Sequence, residues 1–153
     1  MTAIPPNELR VLRVMWIAFL VAIGLYAPMP YLLGAEGLDP AAALPAGARS
    51  GLHFAALGAA VSSFAARRWW TNSLLAALRS PAATPVRDDV WIRLRAGCLI
   101  TWALSETVAL LGFALAMVAR RPLDGVPFAV TAAVLLYLHR PAAWRLDALG
   151  SAA

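Results

Sequence analysis

Glu106 is the residue whose type and position most constrain the chemistry of this chain. It is the only acidic residue in the apolar run Ala96–Ala119, and it falls near the middle of those 24 residues. If the run crosses a bilayer, the carboxyl lies close to the midplane. An ionised carboxylate there costs at least ~2.5 kcal/mol on insertion scales. The group is therefore expected to be protonated, paired, or turned towards a polar cavity. Two roles follow. In one, Glu106 reversibly binds a proton or a cation. In the other, it is a hydrogen-bonded clasp between helices.

Three further residues complete a candidate ion-binding set with Glu106. Ser105 adjoins it. Thr131 is expected at a similar depth on the last apolar run. Gly24 falls near the middle of the first, where Pro28 displaces the carbonyl four residues earlier. His53 is expected about 8–9 Å from Glu106 in depth, at 1.5 Å of rise per residue. That separation favours an interfacial structural histidine over a direct partner. His139, beside Arg140 and Pro141, reads as a helix-end residue, and Trp102 lies one turn from Glu106 on the same face.

Nothing else in the sequence has the spacing of a catalytic centre. There is no Gly-x-Ser-x-Gly, no His-Glu-x-x-His and no phosphate loop. The single cysteine, Cys98, cannot make an internal disulfide, and no Cys/His spacing suits a metal. No catalytic residue, metal or cofactor is expected, and the chain does not read as an enzyme.

The elements that must position Glu106 are apolar helices. Hydrophobic residues make up 61% of the chain and charged residues 14%, where a soluble domain carries about 25% charged residues. Four runs suit a crossing of the hydrocarbon core, which takes about 20 residues. They are 14–33, 51–66, 96–119 (with a backward extension to Asp88) and 123–138. Pro28 and Pro30 predict a kink or an early end to the first. Asp88 is placed to cap the third, and Asp89 to pair with Arg93. The fourth is short and contains Pro127.

In the second run Gly51, Ala55, Ala59 and Ser63 recur every fourth position, with Ala56 and Ala60 beside them. Such a ridge predicts close helix packing within the protein. The segment 67–95 carries Trp70, Leu74 and Leu78 on one helical face, as a helix lying in the membrane interface would. An ordered loop packed on the bundle fits it equally.

The fold class expected is thus all-α: one integral membrane four-helix bundle spanning 1–153. All 13 basic residues are Arg. Ten lie in the N-terminus, the middle segment and the C-terminus, so the positive-inside bias puts both termini in the cytoplasm. Trp16, Trp69, Trp70, Trp91 and Trp144 sit near that side, as an aromatic belt does. A pI of about 10.7 would suggest nucleic acid in a soluble protein. Here the arginines flank apolar runs, so the expected partner is the lipid bilayer and not nucleic acid.

The stretch Ala103-Leu-Ser-Glu-Thr-Val-Ala-Leu-Leu-Gly-Phe-Ala-Leu-Ala-Met117 resembles the carboxyl-bearing helix of the rotary ATP synthase ring proteolipid, subunit c. The shared features are Ala-Leu-x-Glu at Glu106 and a glycine six residues on, Gly112. The chain departs from that family in its long middle segment, which lacks Arg-Gln-Pro, and in its two additional helices. The resemblance implies a proteolipid-like hairpin in a small multi-pass protein of the bacterial inner (cytoplasmic) membrane, with Glu106 as the ion-binding carboxyl. It also implies a homo-oligomer or a subunit of a membrane complex. The competing expectation is a structural or accessory subunit in which Glu106 is only a clasp.

Overall fold

The computed structural model describes residues 6–34, 45–79 and 87–140. The order is α1 (Pro6–Tyr26), α2 (Met29–Leu32), α3 (Ala46–Arg79), α4 (Arg87–Ala119), a 3-10 turn (Pro122–Gly125) and α5 (Val126–Leu138). Together they make an all-α packed bundle, with α3 and α4 sharing the most extensive interface.

Proline sets the first boundary. α1 stops at Tyr26, two residues before Pro28, and the chain resumes as the short α2 with Pro30 buried in it. The expected run 14–33 is therefore two helices. Pro28 has no amide to donate, and its ring would meet the Gly24 carbonyl in a continuous helix. At the end of α4, Arg120 turns left-handed at φ 54°, and the Arg121 amide bonds back to the Ala116 carbonyl at 3.1 Å. That closure satisfies one of the last carbonyls of the helix. Pro127 falls in the first turn of α5, where its missing amide costs nothing.

The largest difference from the sequence expectation is in α3. The expected run 51–66 is part of a helix of 34 residues, about 51 Å long at 1.5 Å per residue. Arg67 and Arg68 look like a helix end but are good helix formers. The face beyond them is neither separate nor bare. Leu74 is buried, and Trp70 lies against Gly97 of α4, where an added Cβ would overlap the indole. Segment 67–79 therefore continues α3 and packs on α4. Residues 80–86, and the side chains of Leu78, Asp88 and Asp89, lie outside the described set.

The packing stripe on α3 also differs from the expected one. Gly51 and Ala55 are exposed, and an added Cβ at Gly51 would meet nothing. Ser63 is fully buried and Ala59 partly buried, but the row that enters the core is Leu52, Ala56, Ala60 and Ser63. Two adjacent small-residue rows exist on this helix. The inward row is the one whose first member, Leu52, has apolar bulk to bury.

α4 is the central helix. Trp102, Ser105 and Ala116 have no exposed surface. At Gly112 the 3-10 turn comes closest: a Cβ on Gly125 would sit 2.9 Å from the Gly112 carbonyl oxygen. Among the described residues one helix is long and apolar enough to cross a membrane, Ile92–Ala119, with 28 residues and a mean hydropathy of 1.7. Pro122–Leu138 is apolar but shorter.

Candidate functional site at the seam of α1 and α4

Glu106 sits on the flank of α4 that meets α1. Its partner is Tyr26, the last residue of α1, whose hydroxyl donates to Glu106 Oε1 at 2.9 Å. The proline-enforced end of α1 leaves Tyr26 at a helix terminus. Its ring lies along α4, 6.0 Å from the Phe113 ring at 39°. Glu106 and Phe113 are seven residues apart and share a helical face. Phe113 therefore supports the ring, and the ring presents its hydroxyl to the carboxyl. Glu106 is only partly buried, and among the described residues no cation pairs with it.

The expected companions do not converge on this carboxyl. Ser105 is fully buried, and its hydroxyl donates to the Thr101 carbonyl at 2.9 Å. Thr131 is exposed and donates to the Pro127 carbonyl at 2.8 Å. Gly24 is exposed, with open space around it. Both hydroxyls are thus spent inside their own helices. Tyr26, absent from the expected set, is the residue that reaches Glu106. Its one sequence signal is its place immediately before the Ala27-Pro28 break.

Two other polar clusters lie at opposite ends of the bundle. At the C-terminal end of α5, three helices each send a donor to the last turn. Trp16 Nε1 of α1 donates to the Leu136 carbonyl at 2.9 Å. Arg67 of α3 donates to the Leu138 carbonyl at 3.1 Å. Trp102 Nε1 of α4 donates to the His139 carbonyl at 3.0 Å. These are carbonyls that a helix end cannot satisfy internally.

His139 is the C-cap of α5, as its sequence context predicts, and it is also buried. Arg67, which has no acceptor atom, lies 2.8 Å from Nδ1, so that nitrogen is unprotonated. Ser63 gives its hydroxyl proton to the Ala60 carbonyl. At 3.3 Å from Ser63 Oγ, His139 Nε2–H is therefore the donor. The imidazole is the neutral Nε2–H tautomer.

At the other end, Arg49 of α3 and Asp124 of the 3-10 turn form an ion pair at 3.4 Å. His53 Nδ1–H donates to the Arg49 carbonyl at 2.8 Å, and its ring meets Phe128 edge-on at 5.1 Å. His53 and Glu106 are thus in different clusters. Among the described residues no three His, Cys, Asp or Glu side chains stand together as metal ligands do.

No family model, curated protein or solved structure matches the chain. The chemistry at the seam is that of one carboxyl and one phenol. Tyr26 donates to Oε1 whether Glu106 is ionised or carries its proton on Oε2, because Oε1 accepts in both forms.

Proposed function

We propose that this chain is a small multi-pass protein of the bacterial inner membrane, proteolipid-like, whose Glu106 takes up and releases a proton at the seam of α1 and α4. The observation that carries the reading is the single bond from Tyr26 to Oε1. It holds the carboxyl in place yet leaves Oε2 to gain or lose a proton with no rearrangement. Partial exposure gives that oxygen a route out of the bundle.

The membrane setting is supported by the outward faces. Ile17, Val21 and Leu25 of α1, Phe54, Leu57 and Val61 of α3, and Val130 and Val134 of α5 are all more than half exposed. Apolar surface on every side of a bundle is what lipid contact accommodates. The contacts of Trp16, Arg67 and Trp102 with the end of α5 align Arg10, Arg13, Arg67, Arg68, Arg93, Arg95 and Arg140 towards one end. Arg49, Arg120 and Arg121 occupy the other. The richer end is cytoplasmic by the positive-inside bias. The protein works as a homo-oligomer or as a subunit of a membrane complex.

A second reading has one observation in its favour: the Tyr26–Glu106 bond joins two helices, as a clasp does, and an accessory subunit needs no more. A hydrophobic carbodiimide, which attacks protonated carboxyls in apolar surroundings, separates the two. Glu106 should be labelled in proteoliposomes, less so as pH rises, and Glu106→Gln should abolish labelling while keeping wild-type thermal stability. If Glu106 is unlabelled at every pH and Glu106→Leu destabilises the protein, the carboxyl is a clasp and does not handle protons.

A further inference from the structure

The cleft at the Arg49 end is unused by the Glu106 chemistry, and its lining has two characters. It measures about 480 Å³ and lies between α3, α4, the 3-10 turn and α5, within the range of sites that hold small organic ligands. Its charged and ring-nitrogen groups are Arg49, His53 and Asp124. The rest is apolar apart from Thr131, whose hydroxyl is spent on the Pro127 carbonyl, and two of the apolar residues, Leu57 and Leu123, are 60% and 71% exposed. An occupant therefore meets charge at Arg49 and Asp124 and exposed hydrocarbon beside them at Leu57 and Leu123.

Arg49 is the residue whose bonding is incomplete. Its pair with Asp124 is loose at 3.4 Å. Its Nε is buried and has no hydrogen-bond partner. A buried N–H without an acceptor costs free energy, and native structures nearly always satisfy it. An oxyanion beside Arg49 would accept from Nε–H and bind the guanidinium in the forked geometry that suits phosphate. His53 is fixed by its bond to the Arg49 carbonyl and by Phe128, so that wall of the cleft is preformed.

We propose that this cleft binds an anionic membrane lipid, with the headgroup phosphate on Arg49 and an acyl chain leaving between Leu57 and Leu123. The proposal rests on the membrane reading, because the exposed leucines must face hydrocarbon. Asp124 is a competitor for the guanidinium. It sets the affinity at a level where the lipid exchanges.

Native mass spectrometry of the protein in nonionic micelles tests this, using phosphatidylglycerol and phosphatidylcholine of identical chains. Phosphatidylglycerol should be retained preferentially. Arg49→Gln should weaken its binding about tenfold, as loss of a charge-assisted hydrogen bond does. Asp124→Asn should strengthen it. Equal retention of both lipids, equal binding by the wild type and Arg49→Gln, or displacement of phosphatidylglycerol by inorganic phosphate alone would each overturn the proposal. Unchanged or weaker binding by Asp124→Asn would also do so, independently of how Arg49→Gln folds. Alkaline extraction of membranes separates the two levels. A wild-type protein that stays in the pellet while Arg49→Gln binds normally removes only the lipid site. A wild-type protein released to the supernatant removes the membrane reading with it.

Discussion

The end of α5 and the seam at Glu106 use polar groups in opposite ways. At the end of α5, three donors from three helices meet three carbonyls of one helix end, and the indole of Trp102 has no exposed surface. At the seam, one phenol meets one carboxyl, and the carboxyl is partly exposed. A network anchored on several elements resists local change, whereas a single bond at a boundary can alter at small cost. Fixed polar contacts hold the bundle, and the carboxyl sits at a seam where one bond holds it.

The comparison breaks first at Trp102. Trp102→Ala removes a fully buried side chain packed 5.9 Å from the Phe19 ring and its bond to the His139 carbonyl. The expected loss is about 3–5 kcal/mol, read as a lower unfolding midpoint in detergent. A loss comparable to that of the Tyr26 variant below would erase the distinction between the two regions.

Next comes the inward row of α3. Ala56→Leu should overpack the core and cost about 1–3 kcal/mol. Ala55→Leu, one residue away on the exposed row, should stay within about 0.5 kcal/mol. The reverse order in a thermal-shift series would restore the Gly51/Ala55 row as the packing face.

The smallest effect is expected at the seam. Tyr26→Phe keeps the ring on Phe113 and deletes one hydrogen bond, worth about 0.5–1.5 kcal/mol. Carbodiimide labelling of Glu106 should persist in this variant, because the carboxyl loses a donor and not its proton site. Loss of labelling would mean that Tyr26 is needed to present the carboxyl, and the seam would then be as interdependent as the end of α5.

The all-helical fold and Glu106 as the one acid of its apolar run were legible in the sequence, because each depends on local composition and period. The helix count was not, since Pro28 divides the first expected run into α1 and α2. Where α3 ends was not legible either. Arg67-Arg68 marks a change of polarity, and only the fit of Trp70 on Gly97 shows that the helix continues. The period of four pointed to the Gly51, Ala55, Ala59 and Ser63 row on α3, but Ala56 and Ala60 run beside it, and only packing chooses between them. The Glu106 site was legible as a position but not as a constellation. Ser105 and Thr131 were chosen by proximity and depth, yet the carbonyls of their own helices claim their hydroxyls. Tyr26 is paired with Glu106 by the register between α1 and α4, which no local pattern encodes.

The three donors that close α5 belong to helices translated before it. α5 has only 13 residues, and an isolated helix of that length is marginal, so it docks into a cradle that is already waiting. A chain halted before Val126 would leave the indoles of Trp16 and Trp102 without their carbonyls, and a buried donor without an acceptor is unfavourable. Folding of this bundle is therefore completed from α5, the last helix among the described residues. Truncation there should expose the chain to proteolysis even though every longer helix has been made.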